Sequence, residues 1–125
     1  QLNVGSNLDM TGVTLSALKD NLAPSLDIMA DVVRNPAFDN SEIEKLRARW
    51  LAQIEQEKAE PVQLALRLLP PVMYGEGHAY GVPFTGSGEV ETIKALTRDD
   101  LTEFHSTWLR PDNATLFVAG DATMA

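Results

Sequence analysis

The chain contains no cysteine, which excludes a disulfide framework and any thiolate metal site and is compatible with every compartment. Histidine is nearly absent too: His78 and His105 stand alone, and neither forms a spaced ligand motif with a neighbouring acid. Basic residues are scarce, 10 against 18 acidic ones for a formal net charge of −8, and the charges are scattered. A phosphate-binding surface needs clustered Lys and Arg, so nucleic acid is not an expected partner. No apolar run approaches the roughly 20 residues needed to cross a bilayer, and no membrane span is expected. Gly75-Glu76-Gly77 and Gly86-Ser87-Gly88 lack a following Lys-Ser or Lys-Thr pair, and no serine sits in a G-x-S-x-G elbow. These glycines therefore read as turn residues, and neither phosphate cradling nor a serine nucleophile is supported.

What is present suffices for one modest core. The 125 residues are 44% hydrophobic and 22% charged, the range of a single domain or part of one. Near the N-terminus, Leu2, Val4, Leu8 and Met10, then Val13, Leu15, Ala17 and Leu18, suggest two short antiparallel strands joined near Met10-Thr11-Gly12. Asp20 or Asn21 can cap a helix striped by Leu22, Leu26, Met29 and Val33, widened by Ile28 and Val32, which Asn35-Pro36 stops. Ser41 and Glu44 form a capping box for a second helix whose buried side is marked by Ile43, Leu46, Trp50, Leu51 and Ile54. Pro61 suits the first turn of a third helix, which Pro70-Pro71 ends or kinks.

The glycine-rich stretch from Tyr74 to Gly88 is expected to be an ordered surface loop. A short helix over Val90 to Leu96 follows, then one capped by Thr97 and Asp100 and bearing Leu101, Phe104, Trp108 and Leu109. Trp50 and Trp108, at helical spacing with Leu and Ile neighbours, are expected in the core. Ala114 to Ala119 alternates and is apolar on both faces, as a buried strand would be. Strands, then helices, then a returning strand give an α+β class, an antiparallel sheet with helices on one face. Residues 1–125 are read as a single partial domain cut from a longer chain.

The stretch from Asp20 to Pro61 resembles the pitrilysin/insulinase family of zinc peptidases, family M16. It carries that family's helix, an N-P-x-F turn (Asn35-Pro36-Ala37-Phe38) and a second helix of the form IEKxRxxxLxxI. LLPPVMYGEGHAYGVPFTGS and LTRDDLTEFHSTWLRPDNATLFVAGD are similar to its connector and to its later helix, proline turn and strand. The resemblance implies an M16-like α+β subdomain, a chamber closed by two units, and a third zinc ligand, a glutamate, on the second helix. Gln53 holds that place here, and Leu46 holds the place of a second acidic residue two turns earlier. At ~100° per residue, positions seven apart differ by about 20°, so the two share one stripe.

A hydrolytic zinc takes three protein ligands and an open position for water. A glutamine carbonyl is a poor substitute for a carboxylate, and Leu46 removes a group that would steady the ligands. The expected reading is a non-catalytic domain with no cofactor of its own. It would pair with a catalytic M16 domain in cis or in trans, which would hold the zinc, with peptide as a substrate. Two alternatives stay open. In one, the chain belongs to an active unit whose His-x-x-Glu-His lies upstream of Gln1, with Glu57 or an unseen acid completing the site. In the other it is a structural subunit similar to the noncatalytic core proteins of respiratory complexes. Glu55, Glu57 and Glu60 read otherwise as a solvated acidic helix end. Bacterial members of this kind are often exported, so the resemblance carries the expectation of a periplasmic address encoded upstream.

Overall fold

The computed structural model describes residues 1–75 and 77–121, which group into two compact units. The first comprises Gln1–Ser6, Met10–Ala37 and the described part of Asp99–Ala125; the second comprises Asn7–Asp9 and Phe38–Arg98.

In the first unit, strands β1 (Leu2–Ser6) and β2 (Thr11–Leu15) pair antiparallel, Leu2 opposite Leu15 and Val4 opposite Val13. The turn lies before Met10, a few residues earlier than the alternation suggested. Asn7 explains the shift: its Oδ1 accepts from the Asp9 backbone N–H at 2.9 Å, a local closure that competes with continuing the strand. A 3₁₀ turn at Lys19–Asn21 leads into α1 (Leu22–Arg34), which begins after Asn21 without a side-chain cap and stops before Asn35-Pro36. Its half-buried stripe is Leu22, Ser25, Met29 and Val33, while Ile28 and Val32 face outward. His105 on α5 (Arg98–Trp108) bonds the Val33 carbonyl through Nε2 at 2.7 Å, so this histidine ties two helices together.

Two expectations fail in this unit. Trp108 is 57% exposed rather than core. Ala114 to Ala119 runs on without forming a strand, and Leu116, Phe117 and Val118 are 76%, 88% and 69% exposed. A strand exists only through a partner's hydrogen bonds, and the two described strands pair with each other.

The second unit is a helical hairpin with a long connector folded onto it. Helix α2 (Asn40–Ala59) is capped by Asp39, whose Oδ1 accepts from the N–H groups of Ser41 and Glu42 and from the Ser41 hydroxyl. The cap thus sits two residues before the expected Ser41. Glu44, free of any capping duty, pairs with Arg47. Glu60 alone, in extended conformation, separates α2 from α3 (Pro61–Tyr74), with Pro61 at the first helical position.

Helix α3 continues through Pro70 and Pro71 to Tyr74. Pro70 has no N–H, so the Leu66 carbonyl one turn earlier loses its helical donor. The Phe84 N–H of the connector supplies the replacement at 2.9 Å. The proline therefore creates an acceptor on which the connector docks. Helix α4 (Val90–Ala95) is held by Arg47, which donates to the carbonyls of Ile93, Lys94 and Leu96, groups a helix end leaves without internal donors. Ile54 at 0% exposure, Pro70 and Ser87 form the centre of this unit.

Candidate functional site

On α2, Leu46 and Gln53 lie on one exposed face, Leu46 at 49% exposure. One turn beyond Gln53 the helix aims Glu57 inward, where it is 5% exposed. Its Oε1 accepts from Gln53 Nε2 at 3.1 Å, and its Oε2 accepts from Arg67 Nη1 at 3.0 Å and from the Ser87 hydroxyl at 2.6 Å. Arg67, itself 7% exposed, also donates to the Ser87 hydroxyl, to the Gly88 carbonyl at 2.8 Å and to Glu89 at 3.3 Å. Thr85 shares a hydrogen bond with the Ser87 hydroxyl, and Trp50 Nε1 donates to the Ser87 carbonyl at 2.9 Å. Two helices and the glycine-rich connector are joined through one guanidinium and one carboxylate.

Burial pushes the Glu57 carboxyl up, since a charge is costly in a low dielectric. Hydrogen bonds from Ser87, Gln53, Arg67 and Thr85 outweigh it, and the net shift is downward. Glu57 is thus an ionised group whose two oxygens are already used. The expectation of a solvated helix end fits Glu55, which pairs with exposed Lys58, and Glu60, but not Glu57. A buried carboxylate held this way is satisfied, and among the described residues no buried side-chain nitrogen or oxygen lacks a partner.

The donors do not fit a hydrolytic zinc. Gln53 offers a neutral oxygen, Glu57 would have to abandon Arg67, and no group of three or more His, Cys, Asp or Glu converges among the described residues. His78 and His105 are held apart from the site, His78 Nδ1 accepting the Tyr80 N–H in the connector. Reasoning from the sequence missed Arg67 and Ser87. The available signal was a lone arginine inside the apolar run LALRLLPP, because a charge there must be paired if the helix face is covered.

Beside Gln53 lies an open depression of about 640 Å³, bounded by Arg49, Gln53, Gln56 and Glu60 from the α2 side and by Val62 and Gln63 from the first turn of α3.

The model of insulinase, peptidase family M16, matches residues 1–81, and that of the peptidase M16 inactive domain matches residues 95–124. The chain is 27% identical over 121 residues to human cytochrome b-c1 complex subunit 1, covering 95% of this chain and 24% of that protein. It is 26% identical over 121 residues to the Bacillus subtilis uncharacterized zinc protease YmxG, covering 97% and 29%. It is 28% identical over 119 residues to mitochondrial-processing peptidase subunit beta of Dictyostelium discoideum, covering 95% and 25%. The chain thus spans about a quarter of the length of these relatives. Helix, N-P-x-F turn, capped second helix and glycine-rich connector follow one another in the α+β frame, and the chain belongs to peptidase family M16.

Proposed function

We propose that this chain is part of a non-catalytic M16 domain that forms a wall of a peptide-binding chamber and pairs with a catalytic zinc-peptidase domain, in the same polypeptide or in a partner. The observation that carries this is the state of α2: an amide occupies the position where the resemblance implies a zinc-ligating glutamate, and the nearest carboxylate is held by Arg67 and Ser87. Its role is shape, contact with substrate and domain pairing.

The exposed apolar surface supports the pairing. Accessible area is 9906 Å². One compact monomer of this mass exposes about 6600 Å², and two separate bodies of half the mass about 8000 Å² together. The surplus includes Val62, Val72 and Met73 on α3 and Leu116 to Val118, and a surplus of this size is what larger interfaces cover.

The test is zinc stoichiometry in the intact parent protein. The expectation is metal content unchanged by Gln53→Ala. Tight, stoichiometric zinc that is lost on Gln53→Ala or Glu57→Gln would place a metal in this half and defeat the proposal. The similarity to cytochrome b-c1 complex subunit 1 favours a second reading, a structural assembly subunit without substrate contacts. Peptide binding by the isolated parent protein argues against it.

A further inference from the structure

We infer that the depression beside Gln53 is a seat for the main-chain amides of an extended, uncharged polypeptide segment. The inference rests on the reading that position 53 holds no metal, and it names what takes the metal's place. Arg49, Gln53, Gln56 and Glu60 recur at spacings of four, three and four, so one face of α2 and the residue after it supply one rim, and Gln63 supplies the other. Three carboxamides therefore converge on a space of about 640 Å³, a volume typical of ligand sites.

The chemistry selects the ligand class. Each carboxamide carries a donor and an acceptor, the same pair that a peptide unit carries, so amide can meet amide in both senses. Gln53 is oriented in advance: its NH₂ group is bonded to Glu57 Oε1, which leaves the Gln53 carbonyl oxygen as an acceptor with no partner among the described residues. Orientation held by a buried, paired carboxylate lowers the ordering cost of binding. The side chains of Arg49, Gln56, Glu60 and Gln63 make no hydrogen bond or ion pair among the described residues, so a ligand displaces no internal contact.

Other classes fit less well. An anion would find Arg49 opposed by Glu60 on the rim and by ionised Glu57 beneath. An apolar ligand would find carbon only at Ala52 and Val62. Val62, 71% exposed, suits one aliphatic side chain of a passing strand.

The test uses the full-length parent protein, selectively labelled with ¹⁵N in glutamine side chains, titrated with the capped peptide acetyl-Ala-Thr-Ala-Thr-amide. Substitutions Gln53→Ala, Gln56→Ala and Gln63→Ala assign the signals, and all three positions are exposed, so each variant is expected to keep the parent spectrum elsewhere. The expected result is saturable shifts at all three side chains, with affinity lowered at least about tenfold in the Gln56→Ala/Gln63→Ala variant, the equivalent of about one hydrogen bond. A backbone N-methylated version of the peptide should weaken by a similar factor, because its donors are gone. Unshifted glutamine signals, or equal binding of the N-methylated peptide, overturn this inference and leave the non-catalytic reading standing. Zinc that binds at this site and is released by Gln53→Ala overturns both.

Discussion

Replacing Arg67 by Met keeps most of the aliphatic length and removes the cation from the second unit. Arg67 is 7% exposed and donates to Glu57, Ser87, Gly88 and Glu89 at 2.7 to 3.3 Å. Its loss leaves the Glu57 carboxylate buried with only Ser87 and Gln53 as donors. Breaking a buried pair by removing one partner costs about 3 to 5 kcal/mol, because the remaining charge is uncompensated. The exposed side of the network, the bond to Glu89, adds little. The Phe84 N–H is the natural reporter, since its bond to the Leu66 carbonyl forms only while the connector is docked. Hydrogen exchange in the intact protein at constant pH should quicken at Phe84 by about 160- to 5000-fold, the same energy expressed as an opening equilibrium. The double variant Glu57→Leu/Arg67→Met should recover much of the loss, as an apolar pair avoids the desolvation of two charges. Acceleration below about fivefold in Arg67→Met, roughly 1 kcal/mol, would show that the pair does not hold the connector and would refute the reasoning.

Acid should act on the same bond. The Glu57 carboxyl is shifted down in the folded protein, so its stabilisation is fully present above the unfolded-state value of about 4.3 and is lost as pH falls through the lower folded value. Protection at Phe84, corrected for intrinsic exchange, should be level above about pH 5 and decline below about pH 4, and Glu57→Gln should flatten that decline; an unchanged decline in the variant would assign it to another group. Trp108→Ala, at a site 57% exposed, should cost less than about 2 kcal/mol rather than the 3 to 5 expected of a core tryptophan; a larger loss in denaturant unfolding of the intact protein would mean that Trp108 is covered there. Gly81→Ala would drive a Cβ into the Gly75 carbonyl oxygen and to 3.1 Å from that of His78, so exchange of the Gly81 N–H, bonded to the His78 carbonyl at 2.8 Å, should rise by at least about tenfold, a cost of the order of 1.4 kcal/mol or more. An Ala variant that retains full protection would show that the turn can open without penalty.

Much of this was legible before any coordinates. The stop at Asn35-Pro36, the start at Pro61 and the short helix over Val90–Ala95 follow from rules that act within a few residues. The departures occur where a distant group decides. Asp39 rather than Ser41 caps α2 because it reaches both free amides. Helix α3 survives Pro70 because Phe84, far along the chain, donates to the orphaned carbonyl. The segment from Ala114 to Ala119 has a strand's pattern and no described partner strand.

By itself the sequence determined the family, the α+β class and the presence of Gln53 and Leu46 where an acidic pair would stand. The fate of Glu57 was decided only in three dimensions. Helical periodicity states which way a side chain points but not what faces it, and Arg67 and Ser87 approach Glu57 from 10 and 30 residues away. A carboxylate that looks solvated along the chain becomes a buried anchor when a guanidinium is folded against it, because the low dielectric that penalises an isolated charge strengthens a paired one.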